Sequence, residues 1–163
     1  MKDEGPILDD TKSEIEKLRQ LFEDHRTDKN ILASATGTFL ELLLSKLRYS
    51  LELSIPAKYQ DKYTIADIWN NLYSKLNKNK EFYSLNSKIL DAINSSKFIR
   101  NTNGCHYNEW AQGVSKDEIK QFTKHVISLY EFVYCNQCNS IIKKINSNED
   151  YKCNCSKLHY HKG

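Results

Sequence analysis

The 163-residue sequence is poor in proline and glycine, with only two and five of them, respectively. Both residues interrupt regular structure and are common in turns, so their scarcity disfavours a turn-rich β fold and favours helices. No apolar run approaches the roughly 18 residues that cross a bilayer. Residues 1–10 are acidic and have no apolar centre, so a signal peptide is not expected. We therefore expect a helical protein with no membrane association. The spacing of its paired cysteines is typical of metal binding rather than of disulfides, which favours a cytoplasmic protein.

Several catalytic motifs are also missing from the chain. There is no glycine-rich phosphate loop, no Gly-x-Ser-x-Gly nucleophile turn, and no His-x-Glu with a cysteine pair as in zinc deaminases. The 24 basic and 21 acidic residues give a net charge of +3, which is too small to indicate nucleic-acid binding by itself. The sequence thus disfavours P-loop nucleotide hydrolysis, serine hydrolysis on an α/β fold, and deamination.

Five stretches carry apolar residues at helical spacing. Ile31 belongs to the apolar pattern of residues 30–53 and Leu85 to that of residues 82–98, so both side chains are expected in the core. The five predicted helices cover residues 11–24, 30–53, 64–76, 82–98 and 115–134, with capping boxes from Thr64 to Asp67 and from Ser115 to Glu118. The predicted fold class is all-α, a bundle of four or five helices over residues 11–134. A disordered or extended segment, residues 1–10, precedes it, and a small β hairpin, residues 135–163, follows it.

Four of the five cysteines form two pairs, Cys135-x-x-Cys138 and Cys153-x-Cys155, separated by 14 residues. Each pair can place two thiolates on one tetrahedral ion, so the spacing predicts a structural Zn²⁺ site in a ribbon-like hairpin. Free or disulfide-linked thiols are the alternative. Such a short segment buries little core, so metal binding would supply much of its folding energy.

The same tail is rich in lysine and ends in two histidines. His159 and His161 are spare metal ligands in case Cys155 is displaced from the ion. The nearby lysines would allow contact with RNA or DNA, or docking on another protein. Cys105 stands apart from both pairs and is interpreted as a small packing residue rather than a nucleophile.

The run from Arg100 to Asn108, RNTNGCHYN, places an arginine six positions before His106. Histidine moves protons near neutral pH, and arginine carries a permanent charge on a planar fork that suits phosphate oxygens. Metal-free cleavage of RNA needs these two groups, since the 2′-hydroxyl loses a proton while the phosphate gains negative charge. A helix cap or a salt bridge is the alternative role for the pair.

At these residues the sequence resembles the HEPN superfamily, a group of α-helical domains that includes many metal-independent ribonucleases. Arg100, Asn101 and His106 match its pattern of an arginine, a polar residue, a short spacer and a histidine. Residues 35–160, which include the cysteine pairs, are similar to the C-terminal region of SMC-like or ABC-type ATPases of bacterial defence systems. The resemblance implies a HEPN-like bundle with a zinc-ribbon tail.

The resemblance also implies a function. The chain would be a metal-independent endoribonuclease, the toxic effector of a bacterial antiviral defence or toxin–antitoxin-like system. Arg100, Asn101 and His106 would be catalytic, RNA (tRNA included) the substrate, and 2′,3′-cyclic phosphates the product ends. A homodimer and an ATPase or antitoxin partner chain are expected. The alternative is a non-catalytic HEPN and zinc-ribbon module that docks on an SMC-like ATPase, on a nuclease or on nucleic acid.

Four further residues are candidate substrate contacts. Asn108 and Glu109 follow the histidine closely and could bind ribose or orient the imidazole. Tyr107 could stack on a base, although an aromatic side chain at this spacing is as compatible with a core position. Arg48, on the predicted helix 30–53, is a candidate phosphate contact, with a solvated face or an intrahelical ion pair as its alternative.

Overall fold

The computed structural model describes residues 11–55, 64–100, 107–145 and 150–162, and the side chains of all of these except Arg100 and residues 107–109. Within these residues there are seven helices and three strands. The helices are α1 Thr11–Glu23, α2 Lys29–Ser50, α3 Ile65–Lys78, α4 Lys80–Asn94, α5 Lys97–Arg100, α6 Tyr107–Gln112 and α7 Lys116–Val133. The strands are β1 Lys143–Ile145, β2 Asp150–Lys152 and β3 His159–Tyr160.

The prediction of a helical bundle with a small β tail is confirmed at this level of detail. The tail is an antiparallel sheet in the order β1-β2-β3, so the predicted hairpin is joined by a third strand. The predicted N-terminal segment, residues 1–10, lies outside the described residues. None of the described helices combines the length and apolarity that a bilayer crossing requires.

Helix α2 is the centre of the bundle. It packs against α1, α3, α6 and α7, and most of its apolar side chains are fully buried because it is enclosed on several sides. Trp69 of α3 is also fully buried, and its indole Nε1 donates to Asn94 Oδ1 at 3.0 Å. The buried apolar side chains of α2 are Leu32, Ala33, Phe39, Leu40, Leu43, Leu44 and Leu47.

The predicted capping box is complete at Thr64, whereas at Ser115 the structure gives the N-cap bond and the Glu118 carboxylate lies 3.7 Å from Lys97 Nζ. Thr64 Oγ1 accepts from the backbone N–H of Asp67 at 3.2 Å, and Asp67 Oδ2 accepts from the backbone N–H of Thr64 at 2.8 Å, which completes the capping box. Ser115 Oγ accepts from the backbone N–H of Glu118 at 3.2 Å. Each bond satisfies an amide that the first helical turn leaves without a partner.

The predicted helix over residues 82–98 is two helices, α4 and α5. Ser96 ends the first and starts the second. Its hydroxyl donates to the carbonyl oxygen of Ile93 at 2.6 Å and accepts from the backbone N–H of Ile99 at 3.3 Å. Serine competes with the helix for backbone partners in this way, so the chain changes direction there.

Two residues that were expected in the core are exposed. Leu85 is 66 % and Ile31 is 56 % exposed. The buried face of α4 runs through Phe82, Asn86 and Leu90 instead, so Leu85 faces away from it. Ile31 lies in the first turn of α2, where the neighbouring Leu32 and Ala33 are buried, so Ile31 faces away from the enclosed side of the helix.

The small sheet is fixed to the corner between α3 and α4. Asn79 is fully buried there and is the only residue between the two helices; its Oδ1 accepts from the Phe82 backbone N–H at 2.8 Å. Asn79 Nδ2 donates to the Tyr160 carbonyl oxygen at 3.1 Å, and the ring of Tyr160 lies 4.6 Å from that of Phe82. Tyr151 of β2 is fully buried on the same side of the sheet. One face of the sheet therefore belongs to the core of the bundle.

A buried pair of threonine hydroxyls joins α2 to α7. Thr36 Oγ1 lies 2.7 Å from Thr123 Oγ1; each also contacts a carbonyl oxygen of its own helix, Leu32 O at 2.7 Å and Ile119 O at 2.8 Å. Two hydroxyl protons serve three contacts, because each hydroxyl donates once. One of the three is therefore not a hydrogen bond at any instant.

We expect Thr123→Val to lower the free energy of unfolding by about 1 kcal/mol, since valine keeps the shape and removes one hydroxyl. The double variant Thr36→Val/Thr123→Val should cost less than the sum of the two single variants, because the hydroxyls share partners. Urea denaturation of the four proteins measures this coupling. Strict additivity would show that the two hydroxyls do not depend on each other.

Candidate metal centre

The four paired cysteines meet at one point. Cys135 and Cys138 follow α7, Cys153 and Cys155 follow β2, and all four Sγ atoms lie within 4.8 Å of one another. Cys155 Sγ is 3.6 Å from Cys135 Sγ and 3.6 Å from Cys153 Sγ. Four thiolates on Zn²⁺ with bonds of about 2.3 Å in a tetrahedron have sulfur atoms about 3.8 Å apart. A disulfide needs about 2 Å, so these are free thiols at zinc-binding separation.

The first cysteine pair lies on a tight turn. Asn139 N–H donates to Cys135 O at 2.9 Å, and Cys135 N–H donates to Ser140 O at 3.0 Å. Asn139 has a φ of 54°, a left-handed conformation that asparagine tolerates better than most residues. Gln137 N–H points at Cys135 Sγ at 3.4 Å. A backbone N–H aimed at sulfur favours the thiolate form that metals bind.

The second pair lies on a similar turn. Ser156 N–H donates to Cys153 O at 3.1 Å, and the backbone N–H of Leu158 points at Cys153 Sγ at 3.3 Å. Ser156 also has a left-handed φ of 63°. The two turns are joined by Ser140, whose Oγ accepts from Asn154 N–H at 2.8 Å. The cluster is therefore held by backbone bonds as well as by any ion.

The hydrogen bonds around the cluster shift the thiol pKa values in opposite directions. The Ser140 hydroxyl, 3.1 Å from Cys138 Sγ, lowers the pKa of Cys138 to about 5. The backbone N–H of Cys138 lowers the pKa of Cys135. The backbone N–H of Lys157 lowers the pKa of Cys155, but burial and the three neighbouring thiols together raise it to about 11. A divalent cation would favour deprotonation of all four, since it offsets the repulsion between thiolates.

His159 and His161 do not join the cysteine cluster as spare ligands. Cys155 is itself a member of the cysteine cluster, and the two histidines instead lie close to Asp150. Asp150 was not among the residues singled out from the sequence, and neither was Ser140. The sequence signal for both was weak, because serine and aspartate are common in polar turns.

The Arg–His motif lies outside the described residues. Asn101 and His106 belong to residues 101–106, between α5 and α6 in sequence, which the structure does not describe. Of the neighbouring residues Arg100, Tyr107, Asn108 and Glu109, it describes the backbone alone. α5 ends at Arg100, and α6 begins at Tyr107. The catalytic and contact roles of these residues therefore stay predictions.

Three aromatic rings hold the two ends of that segment together. Phe98 of α5 lies 5.1 Å from Trp110 of α6 and 5.0 Å from Phe122 of α7, measured between ring centroids. Trp110 lies 5.3 Å from Phe122. All three are buried, so helices α5 and α6, which precede and follow residues 101–106, pack in the same part of the bundle. We refer to Phe98, Trp110 and Phe122 as the aromatic trio.

A cleft of about 340 Å³ opens beside the aromatic trio. Lys97, Trp110 and His125 line it, and Asp117 and Glu118 close one side. His125 Nδ1 is buried and has no hydrogen-bond partner among the described residues. Lys97 and His125 were not singled out from the sequence: Lys97 is an ordinary exposed lysine three residues before Arg100, and only the tertiary fold brings His125 of α7 to the same cleft.

Arg48 lies in the last turn of α2. Its guanidinium is 5.7 Å from the ring centroid of Tyr49, which is 76 % exposed. Lys29, at the first turn of α2, donates from Nζ to Val114 O at 3.1 Å. Arg48 and the turn between α6 and α7 are therefore at opposite ends of α2. A phosphate contact by Arg48 stays a prediction.

The buried position of His125 predicts that the stability of the folded protein depends on pH. Burial, and to a lesser extent Lys124, lower the pKa of His125 below its usual 6.5. The unfolded chain therefore takes up this proton first, and stability is lost as pH falls through about 6.5 toward the lowered pKa. Thermal unfolding between pH 5 and pH 7 should show this slope reduced in His125→Gln. His25→Gln, at an exposed position, is the control and should keep the slope. Equal slopes in all three proteins would contradict the assignment.

Comparison with known proteins adds no relative: no family model, no curated protein and no solved structure matches this chain. The resemblance to the HEPN superfamily thus remains a prediction that rests on residues 100–106 and on the cysteine tail.

Proposed function

We propose that the chain is a metal-independent HEPN-type endoribonuclease, the toxic effector of a bacterial antiviral defence or toxin–antitoxin-like system. The observation that supports this most is the cleft beside the aromatic trio. It is lined by Lys97 of α5 and Trp110 of α6, the two helices that in sequence flank the segment carrying Asn101 and His106. The ammonium group of Lys97 lies 3.7 Å from Glu118 Oε2 there, and the imidazole of His125 also lines the cleft.

In the proposed reaction the 2′-hydroxyl loses its proton and its oxygen attacks the adjacent phosphorus. His106 either takes that proton or protonates the leaving 5′-oxygen. Arg100 neutralises the charge that builds on the phosphate oxygens, and Asn101 positions the phosphate. The bond to the 5′-oxygen breaks, and that oxygen takes up a proton. The products end in a 2′,3′-cyclic phosphate and a 5′-hydroxyl. In the proposed homodimer, two motifs share one cleft and supply a second acid or base.

Cleavage of total RNA, with tRNA included, tests the proposal. Purified protein is incubated with RNA in excess EDTA and, in parallel, without chelator, because EDTA also removes any zinc. Cleavage in both samples, with cyclic-phosphate ends, is the expected result. Intact RNA in both samples, with protein that remains folded by circular dichroism, would overturn the ribonuclease proposal.

We propose Zn²⁺ as the ion of the cysteine cluster, in a structural role. The support is the set of four thiols at tetrahedral separation with backbone N–H groups aimed at two of them. Four thiolates fill the coordination shell and leave no position for water, so such an ion stabilises the fold and does not take part in hydrolysis.

The alternative proposal is a non-catalytic module that docks on an SMC-like ATPase, on a nuclease or on nucleic acid. A row of basic side chains on the sheet favours nucleic acid. Lys143 is paired directly opposite Lys152, and Lys152 directly opposite His159. Like charges in opposite positions are unfavourable unless an anion lies over them.

Fluorescence anisotropy with a labelled RNA and a labelled DNA distinguishes this alternative. If the basic row binds phosphate, Lys143→Ala/Lys152→Ala should weaken binding and reduce the salt slope by about one or two. Lys88→Ala, an exposed lysine on α4, is the matched control. Equal affinity in the two variants would exclude the basic row as the binding surface.

A further inference from the structure

A second group of metal-ligating side chains lies on the sheet, apart from the cysteines. Asp150, His159 and His161 each offer a ligand atom, and these atoms lie within 4.8 Å of one another. The centroids of the two imidazole rings are 3.8 Å apart. No cysteine takes part in this group, so it is independent of the four-cysteine cluster.

The pairing of β2 with β3 brings these residues together. Tyr151 is opposite Tyr160 and Lys152 is opposite His159. Continued by one residue, the same register places Asp150 opposite His161. Side chains alternate along a strand, and the tyrosines face the bundle, so Asp150, His159 and His161 share the other face.

The backbone around the group is fixed by the start of α4. His161 N–H donates to Glu81 Oε2 at 2.6 Å, and Lys80 N–H donates to the carbonyl oxygen of Lys162 at 3.4 Å. Asp150 Oδ1 accepts from Lys162 N–H at 2.7 Å, which orients the carboxylate toward β3. A site whose ligands are held in advance binds metal with less ordering of the chain.

One atom in the group lacks the partner that its burial requires. His159 Nε2 is buried and has no hydrogen-bond partner among the described residues. A buried imidazole nitrogen normally meets a hydrogen-bond partner or a metal. A metal ion between the three side chains would supply that partner.

We propose that Asp150, His159 and His161 bind a divalent transition-metal ion of the Zn²⁺ class. Two imidazoles and one carboxylate suit Zn²⁺, Co²⁺ and Ni²⁺ better than Mg²⁺ or Ca²⁺, which prefer oxygen ligands. Bonds of about 2.1 Å in a tetrahedron require ligand atoms about 3.4 Å apart, which small side-chain rotations achieve. Three protein ligands leave a position for water or an anion, and Lys152, paired opposite His159, adds a positive charge to the same face of the sheet.

Metal stoichiometry tests the second site. The full chain, purified without a polyhistidine tag, is saturated with micromolar Zn²⁺, dialysed against metal-free buffer, and analysed by mass spectrometry of the metal. We expect two ions per chain in the wild type and one in His159→Ala and in His161→Ala. Cys153→Ser should bind neither ion, because the sheet that carries Asp150, His159 and His161 is not expected to fold without the ion of the cysteine cluster. His25→Ala is the matched control and should keep two. Loading with Co²⁺ separates the sites, because only the cysteine site gives a thiolate charge-transfer band.

Two results would overturn the second site. One is a single ion per chain in the wild type; the other is an unchanged second ion in His161→Ala. His161 is exposed, so its substitution should leave the fold intact even if His159→Ala does not fold. A second ion that binds only at millimolar Zn²⁺ also counts against the proposal.

Discussion

Cys153→Ser is expected to release the ion from the cysteine cluster and to unfold the C-terminal sheet. Cys153 is 1 % exposed, and its sulfur lies 3.6 Å from Cys155 Sγ. A serine oxygen is a weaker zinc ligand than a thiolate and does not reach the same position. Structural zinc contributes an apparent binding free energy of about 10–16 kcal/mol in zinc-finger peptides. Whole domains are stable by only about 5–15 kcal/mol, so the sheet is not expected to persist without its ion.

Hydrogen exchange measured by mass spectrometry follows this change region by region. Residues 135–145 and 150–162 should lose protection in Cys153→Ser, while α2 should keep most of its protection. The ion of the cysteine cluster should be lost, and with it any ion at Asp150, His159 and His161, because those residues belong to the same sheet. Cys105→Ser is the matched control, since the sequence does not pair Cys105 with another cysteine. A variant that keeps both its zinc and its protected sheet would refute the structural role of the ion.

His106→Ala is expected to abolish RNA cleavage while the protein remains folded. A general acid or base contributes about 10²–10⁴-fold to a rate, and one histidine per motif leaves little to replace it. Arg100→Ala should cause a loss of similar size, because it removes the charge that faces the phosphate. His25→Ala, at an exposed site between α1 and α2, should cleave RNA as the wild type does.

Initial rates on a short RNA, beside melting temperatures, give the comparison. Full activity in His106→Ala would remove this histidine from the mechanism. If activity is lost in both variants only because the melting temperature falls, the pair is structural, and the docking module becomes the preferred function.

Much of the helical fold could be predicted from local pattern. The long apolar periodicity of α2 and α7 and the Thr64 capping box depend on residues a few positions apart, so the sequence contains the whole signal. The break between α4 and α5 could not be predicted in this way. Ile93 and Phe98 continue the apolar pattern across the break. Ser96, whose hydroxyl donates to the Ile93 carbonyl oxygen at the end of α4, is a residue type common on surfaces and does not by itself predict a break.

The two groups of metal ligands and the cleft also differ in whether local sequence or the tertiary fold brings their residues together. Each cysteine pair is local, so its spacing predicted the cluster of four that the fold brings together. Asp150 could not be predicted to join His159 and His161, because the β2–β3 register sets that contact. Likewise, His125 is close to Trp110 only because α6 and α7 pack together.

The buried amide of Asn79 limits how far the helical bundle can be kept while the cysteine-bearing tail is replaced by another sequence. One side chain caps α4 and also donates to the last strand, so the start of the helix and the sheet depend on the same buried amide. A fusion that replaced the cysteine-bearing tail would leave this amide without an acceptor and Phe82 without the Tyr160 ring. Engineers who wish to graft the bundle onto another tail would therefore need to redesign the α3–α4 corner with it.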